Sequence, residues 1–421
     1  MKITQIETIR VGEFRDLIWV QVHTDAGITG LGETWYAASA VQSAIHDHFG
    51  PLLIGRDPME IEGHWQQMFR LSDHAGYGGA EVRAISALDM ALWDIKGKAL
   101  KLPVYQMLGG QTRDKINVYN TCGTYGAIKD SQAIWTDPVG VAKSLLDEGI
   151  TGLKFSPTDY IARESDGQWL FYEDLDWALE PIRRIRDAVG TEMNIAQDGH
   201  GKWNLAQAVR IVHATEQYRL MWHEELISGF NEEAHVRLQR ETRTPLAAAE
   251  RLMSRHQFRR FIETGAARVI MPDVSWCGGI TETAKIAQMA SAHQLPIAPH
   301  DCVGPVTMFA SAHIWASQIN VMVMEYNRAM HRGWYGKFVD PNLRVEDGYA
   351  FAPDTPGIGT SLQPSVRDRK DAVVQVSSEP RDNWLFSRKR YVYPPEDIQR
   401  QFDEGRAVAN RGRKVRGPME S

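Results

Sequence analysis

The sequence predicts an α/β protein in which a closed barrel of parallel strands follows an α+β unit. Between Ile116 and Tyr326, eight short β-like runs alternate with helical stretches, the texture of parallel α/β architecture. Three of those runs end on an acid at even intervals of 26 residues: Asp198 in Asn194-Ile195-Ala196-Gln197-Asp198-Gly199-His200, Glu224 in Trp222-His223-Glu224-Glu225-Leu226, and Glu250 in Ala247-Ala248-Ala249-Glu250. A parallel barrel uses about 25 to 30 residues per strand-plus-helix unit and gathers its strand ends into one ring. Acids at that spacing therefore converge.

Taken in order, residues 1 to about 36 alternate apolar and polar as hairpins do: Ile3 to Val11, Leu17 to Val22, a turn at Asp25-Ala26-Gly27, then Gly30-Leu31-Gly32-Glu33. From Ala38 the pattern turns helical. The clearest helix is Ala80 to Leu100, with Val82, Ile85, Leu88, Leu92 and Ile95 on one face, ending before Pro103. Strands are expected at Ile116 to Thr121, Gly152 to Phe155, Met193 to Asp198, Leu220 to Glu224, Leu246 to Glu250, Val269 to Val274, Pro296 to His300 and Val321 to Tyr326. Past Trp334 the alternation stops, and Pro353-Asp354-Thr355-Pro356-Gly357-Ile358-Gly359 is turn-rich. The division expected is an α+β unit over 1–115, the barrel over 116–345, and a segment over 346–421 that packs back on the first unit.

Length and composition agree with this. The 421 residues exceed one ordinary core, and 43% hydrophobic with 24% charged residues is the balance of a soluble globular chain. A net charge of −6 and a pI near 6.2 leave no basic footprint for nucleic acid. The locally basic stretch Arg406 to Arg416 reads as a solvated terminus. Cys122, Cys277 and Cys302 lie far apart without a CxxC pair, so neither a disulfide framework nor a zinc knuckle is implied, and a reducing compartment fits. Met1 to Ile6 lacks the apolar core of a signal peptide, and no run is long enough to span a membrane. A cytoplasmic enzyme with no membrane partner is the expectation.

The chemistry follows from the strand ends. A hard divalent cation such as Mg2+ takes oxygen ligands and keeps positions for water or substrate, so Asp198, Glu224 and Glu250 are the candidate metal ligands. Any one of them alone would as readily begin a loop or cap a helix; the three in register point to one ion. Asp273 ends the sixth run, His300 the seventh, and Glu325 lies in the eighth. An Asp and a His on adjacent strands can form a dyad that fixes the imidazole tautomer, which makes His300 the candidate general base. Lys154 ends the second run, where it can bind a substrate carboxylate or, if desolvated, act as a base. His200, two residues past Asp198, belongs at the barrel mouth, placed to protonate a leaving hydroxyl. The bland alternative for His200 is a loop histidine with no proton to deliver.

The order Lys, Asp, Glu, Glu, Asp, His, Glu on successive strand ends resembles the enolase superfamily and, within it, the mandelate racemase branch. The likeness extends to Gly27-Ile28-Thr29-Gly30-Leu31-Gly32-Glu33, Ala87-Leu88-Asp89-Met90-Ala91-Leu92-Trp93-Asp94, Leu108-Gly109-Gly110 and Pro353-Asp354-Thr355-Pro356-Gly357. The resemblance implies a modified TIM barrel under an α+β capping domain built from both chain ends, Mg2+ binding, and abstraction of a proton α to a carboxylate. By matching position, Asp198, Glu224 and Glu250 resemble the metal ligands, Asp273 and His300 the His-Asp dyad, and Glu325 the acid that hydrogen-bonds the enediolate oxygen. Asp198-x-His200 is similar to the arrangement in members that dehydrate aldonic acids. A homo-oligomer is also implied.

Departures narrow the reading. Branch members that racemise usually carry Lys-x-Lys on the second strand, and here the second position is Ser156. A racemase needs bases on both faces of the α-carbon, so one lysine favours a one-base dehydration of a sugar acid, an aldonate, to a 2-keto-3-deoxy acid. Leu226 and Ala249 stand where Pro and Gly are common. Glu225 should point to the other side of its strand and is left out of the site. His74 and Tyr77 in the capping loop, with Asp301 beside the base, are the candidate substrate-binding residues, and the insert Thr158 to Tyr172 either lines the distal end of the substrate or forms a surface loop. The rivals are a racemase or epimerase using Lys154 opposite His300, and a non-catalytic binding protein. A TIM-barrel metallohydrolase would want a His-x-His pair after an early strand and an extra metal-bridging group, and these are not found.

Overall fold

Alternation in the first 35 residues builds an antiparallel sheet from β1 (Ile3–Val11), β2 (Phe14–Thr24) and β3 (Thr29–Trp35). The computed structural model describes residues 1–301, 304–380, 400, 403 and 404. Helices α1 (Ile61–Leu71) and α2 (Ala80–Leu100) complete the cap, and α2 has the bounds its periodicity predicts. It ends at Lys101 in the left-handed region, two residues before Pro103. A Cβ at Gly30 or Gly32 would clash with the carbonyl oxygens of Ala91 and Ala87, so these two glycines let α2 lie directly on β3. Buried Ile18, Val20, Ile85, Leu88 and Leu92 fill the layer between sheet and helices.

The barrel strands are β4 (Ile116–Thr121), β5 (Gly152–Phe155), β6 (Asn194–Asp198), β7 (Trp222–Glu224), β8 (Leu246–Ala248), β9 (Val269–Ile270) and β10 (Met324–Tyr326). Neighbours pair in parallel from β4 through β9, and β10 pairs back with β4. Between them run the outer helices α3 (Pro138–Asp147), α4 (Tyr172–Val189), α5 (Leu205–Thr215), α6 (Glu232–Arg240), α7 (Ser254–Thr264), α8 (Gly279–Ala292) and α9 (Pro305–Ser317). Side-chain oxygens of Asp137, Asn204 and Asn231 accept from the third residue beyond and so start α3, α5 and α6. Tyr119, Ala196, Trp222, Ala247, Val269, Met271 and Ala298 fill the barrel interior, with Tyr119 and Trp222 edge to face at 5.1 Å. The fold is a modified TIM barrel with a capping domain.

One expected strand takes another form. Pro296 to His300 makes only single parallel bridges, Ile270 to Ile297, Asp273 to His300 and Ile297 to Val321. Pro296 and Pro299 have no N–H to give, so a continuous ladder cannot form there. The bridges still hold the seventh position of the ring. Near the far end of the described chain, β11 (Ala372–Ser377) adds to the cap sheet antiparallel to β1, with Ile6 opposite Ser377. Cys302 and the basic stretch 406–416 lie outside the described residues. Among the described residues no helix is long and apolar enough to cross a membrane.

Candidate active site

Register brings the acids together. Asp198 and Glu224 sit directly opposite each other on β6 and β7, and Ala247 on β8 pairs with Glu224. Glu250 lies two residues beyond β8, after Ala249 turns the chain with φ 92°. Lys154, in register with Ala196, sits on β5, and Glu325 on β10 pairs with Tyr119. All five side chains are buried. The Lys154 ammonium contacts Glu224, Glu325 at 3.0 Å and Asp198 at 3.7 Å. Burial works to lower its pKa, but Glu224 and Glu325 outweigh it and hold the lysine well above the usual range.

His300 and Asp273 form the expected pair. The Nδ1–H of His300 donates to Asp273 Oδ2 at 2.7 Å, and Nε2 lies 3.5 Å from Glu250 Oε2. The other oxygen of Asp273 accepts from the backbone N and the hydroxyl of Ser275, both at 2.7 Å. The cap braces this loop, since Thr34 donates to the Ser275 carbonyl at 2.7 Å. Such a carboxylate fixes the orientation of the imidazole.

His200 stands at the opposite side of the mouth with φ 47°. Its Nδ1 donates to Asp159 Oδ2 at 2.6 Å, and its Nε2 is 3.3 Å from Asp198. Burial lowers its pKa, yet Asp159 and Asp198 carry it up to about 9. Asp159 belongs to the insert whose role the sequence left open, and it also binds Lys202. That insert supplies the acid that orients His200. A cavity of about 250 Å3 is lined by Lys154, Asp198, His200 and His300, with Ser156 and Trp135 on its flank.

Among the described residues no three His, Cys, Asp or Glu side chains are gathered tightly enough to hold an ion as they stand. Lys154 draws Glu224, and Arg251 draws Glu250 at 3.2 Å. The donor chemistry fits a hard divalent cation all the same. Asp198, Glu224 and Glu250 are buried oxygen donors on neighbouring strand ends. Burial pushes Glu224 up to about 8, with Lys154 opposing and Asp198, Glu325 and Glu250 adding to the rise. Crowded carboxylates of this kind are stabilised by a cation of higher charge than one ammonium.

Other expected positions fall differently. Glu225 does not point away: the strand ends at Glu224, φ becomes 36°, and the Glu225 carboxylate accepts from Ala249 N and meets Arg251 at 2.9 Å. Alternation holds only inside a strand. Glu325 accepts from Thr121 and, at 2.8 Å, from the Asp301 backbone N–H. Asp301 is not on the cavity wall; its carboxylate is buried, 3% exposed, without a hydrogen-bond partner among the described residues, and burial raises its pKa. Tyr77 packs on Phe69 at the outer edge of the cap and does not line the cavity either. The side chain of His74 lies outside the described ones.

Residues 139–366 match the family described as enolase C-terminal domain-like, and residues 6–109 match the mandelate racemase / muconate lactonizing enzyme N-terminal domain. A D-galactonate dehydratase of Verminephrobacter eiseniae (strain EF01-2) is 34% identical over 373 residues, 87% of this chain and 93% of that protein. One from Variovorax paradoxus (strain S110) is 34% identical over 91% of this chain and 96% of its own length. Among solved structures, an enolase of the mandelate racemase subgroup from Agrobacterium tumefaciens is 41% identical, with a TM-score of 0.83 over 90% of this chain and 99% of that one. A putative dehydratase from Zymomonas mobilis ZM4 is 30% identical, with a TM-score of 0.82 over 89% and 100%.

Proposed function

The chain belongs to the mandelate racemase / muconate lactonizing enzyme family of the enolase superfamily, and on that premise we propose that it is a hydro-lyase that dehydrates an acid sugar to a 2-keto-3-deoxy acid. One observation carries the reading: two histidines, each hydrogen-bonded to its own aspartate, line a single cavity over the strand-end acids. One acts as base and the other as acid.

His300 takes the proton α to the substrate carboxylate through Nε2, while Asp273 holds the ring and stabilises the imidazolium that forms. His200, oriented by Asp159, gives a proton to the departing β-hydroxyl. Lys154 and Glu325 face the substrate carboxylate as a charge partner and a hydrogen-bonding acid. Asp198, Glu224 and Glu250 would hold Mg2+, which supplies Lewis-acid stabilisation of the charge that develops as the α-proton leaves, as enolase-superfamily sites do. Ser156, in place of a second lysine, supports a one-base reaction over racemisation. The names of the relatives in Verminephrobacter and Variovorax support the dehydratase reading.

The test is a panel of aldonic and aldaric acids with Mg2+, reading 2-keto product with EDTA controls. An EDTA-sensitive product supports the proposal. Exchange of the α-hydrogen with solvent and no 2-keto product from any acid would replace it with epimerisation.

A further inference from the structure

Arg83 on α2 hangs over the base side of the barrel mouth. Its guanidinium lies 4.3 Å from the Trp276 ring, and that ring lies 4.9 Å from the His300 ring. Tyr36, on the cap rim with φ 70°, flanks the guanidinium at 5.6 Å. Burial pushes the Arg83 pKa down to about 10, with Asp273, Tyr36 and Glu250 pulling it back, so the group stays a cation at neutral pH.

An arginine carries five N–H donors in a planar fork suited to a carboxylate. Arg83 uses one nitrogen, donating from Nη1 to the Trp35 carbonyl at 2.8 Å, and among the described residues no other hydrogen bond or ion pair engages it. The Nε1–H of Trp276 is also without a partner among them, although the residue is only 4% exposed. Buried donors are almost always satisfied, so the orphaned Trp276 Nε1–H, beside a half-buried Arg83 whose remaining nitrogens are unused, calls for a ligand that accepts. A strut between cap and barrel would bond its guanidinium as Arg251 does, to Glu225, Glu250 and the His200 carbonyl.

We propose that Arg83, assisted by Trp276, receives a second anionic group at the far end of the acid sugar, the terminal carboxylate of an aldarate. The inference rests on the dehydratase reading and departs from it in preferring a diacid to an aldonate. A six-carbon acid has roughly 5 Å between C2 and C6. Arg83 and Trp276 do not themselves line the 250 Å3 cavity; with its C2 hydrogen at His300, the acid extends its far carboxylate out of that cavity and along the Trp276 ring to the guanidinium, two ring contacts away.

The full-length protein with Mg2+ is assayed on aldarates, on aldonates of matched configuration and on aldonate 6-phosphates, as wild type, Arg83→Gln and Arg83→Lys. The expected result is that kcat/KM for an aldarate exceeds that for its aldonate at least about tenfold, and that Arg83→Gln lowers this ratio roughly ten- to a hundredfold through KM, with Arg83→Lys between. An aldonate used as well as its aldarate, with Arg83→Gln slowing both alike, overturns the proposal and leaves the dehydration chemistry standing. A 6-phosphate preferred over both overturns the carboxylate. If no acid gives 2-keto product, the dehydratase reading fails and binding decides: with Mg2+, an aldarate should raise Tm more than its aldonate in the wild type and not in Arg83→Gln. Equal shifts in the wild type, or a difference that survives in Arg83→Gln, overturn the proposal.

Discussion

His300 Nδ1 and Asp273 Oδ2 lie 2.7 Å apart, 27 residues distant in sequence, because the two residues meet as a parallel bridge at the barrel rim. The bridge holds the dyad although the prolines around His300 prevent a full strand. Asp273→Asn keeps the geometry and loses the charge that stabilises the imidazolium. Proton abstraction should fall about 10²- to 10⁴-fold, measured as kcat for 2-keto formation. A loss of less than threefold would separate Asp273 from the chemistry.

Asp159→Asn removes the carboxylate that accepts from His200 Nδ1. Dehydration should drop roughly tenfold or more, while exchange of the α-hydrogen should change much less. Equal losses in both readouts would mean that Asp159 only holds the loop.

Glu250→Gln should weaken Mg2+ binding by roughly tenfold or more, read from the Mg2+ concentration dependence of activity and from calorimetric titration. An unchanged Mg2+ dependence rejects Glu250 as a ligand.

Much of this site could be read from the chain because its acids ride on regular strands. Asp198 and Glu224 share a register pair, and an interval of one strand-plus-helix unit predicts such a pair. Glu225 departs from expectation for the opposite reason: alternation ends where the strand does, and at its φ of 36° the side chain shares Arg251 with Glu250. Asp159 and Arg83 carried no local signal at all. Their partners, His200 and Trp276, lie 41 and nearly two hundred residues away, and only the packing of insert and cap on the barrel brings them close. Tyr77 and Asp301 had the right chemistry for a polyol, but packing on Phe69 and burial behind the rim keep them off the cavity wall.

Gly32→Ala tests how the cap is seated. Its Cβ would run into the Ala87 carbonyl oxygen on α2, the helix that carries Arg83. Relief requires moving that helix off β3, and a cost of about 3 kcal/mol is expected. Denaturant unfolding measures it, and a change below about 0.5 kcal/mol would contradict the close packing.

His313 gives a pH dependence of stability. It is buried as the neutral ring, accepting from Tyr105 N at Nδ1 and donating from Nε2 to the Ile358 carbonyl, and burial lowers its pKa to about 4. The unfolded chain takes up this proton near pH 6.5, so its contribution is complete above that value and is lost as pH falls toward 4. Wild-type stability should therefore decline between pH 6.5 and 4, and His313→Gln should flatten the decline. Parallel curves for the two proteins would remove His313 as a cause.

The division of labour between the two histidines is tested most directly in D2O, with Mg2+ and an acid sugar that the wild type dehydrates. His300→Asn and His200→Asn are followed side by side by NMR of the α-hydrogen. The account predicts that His300→Asn loses both exchange and dehydration, and that His200→Asn loses dehydration while the α-hydrogen still exchanges. A folded, Mg2+-binding His200→Asn protein with no exchange, or a His300→Asn protein that keeps it, would contradict the assignment of base and acid.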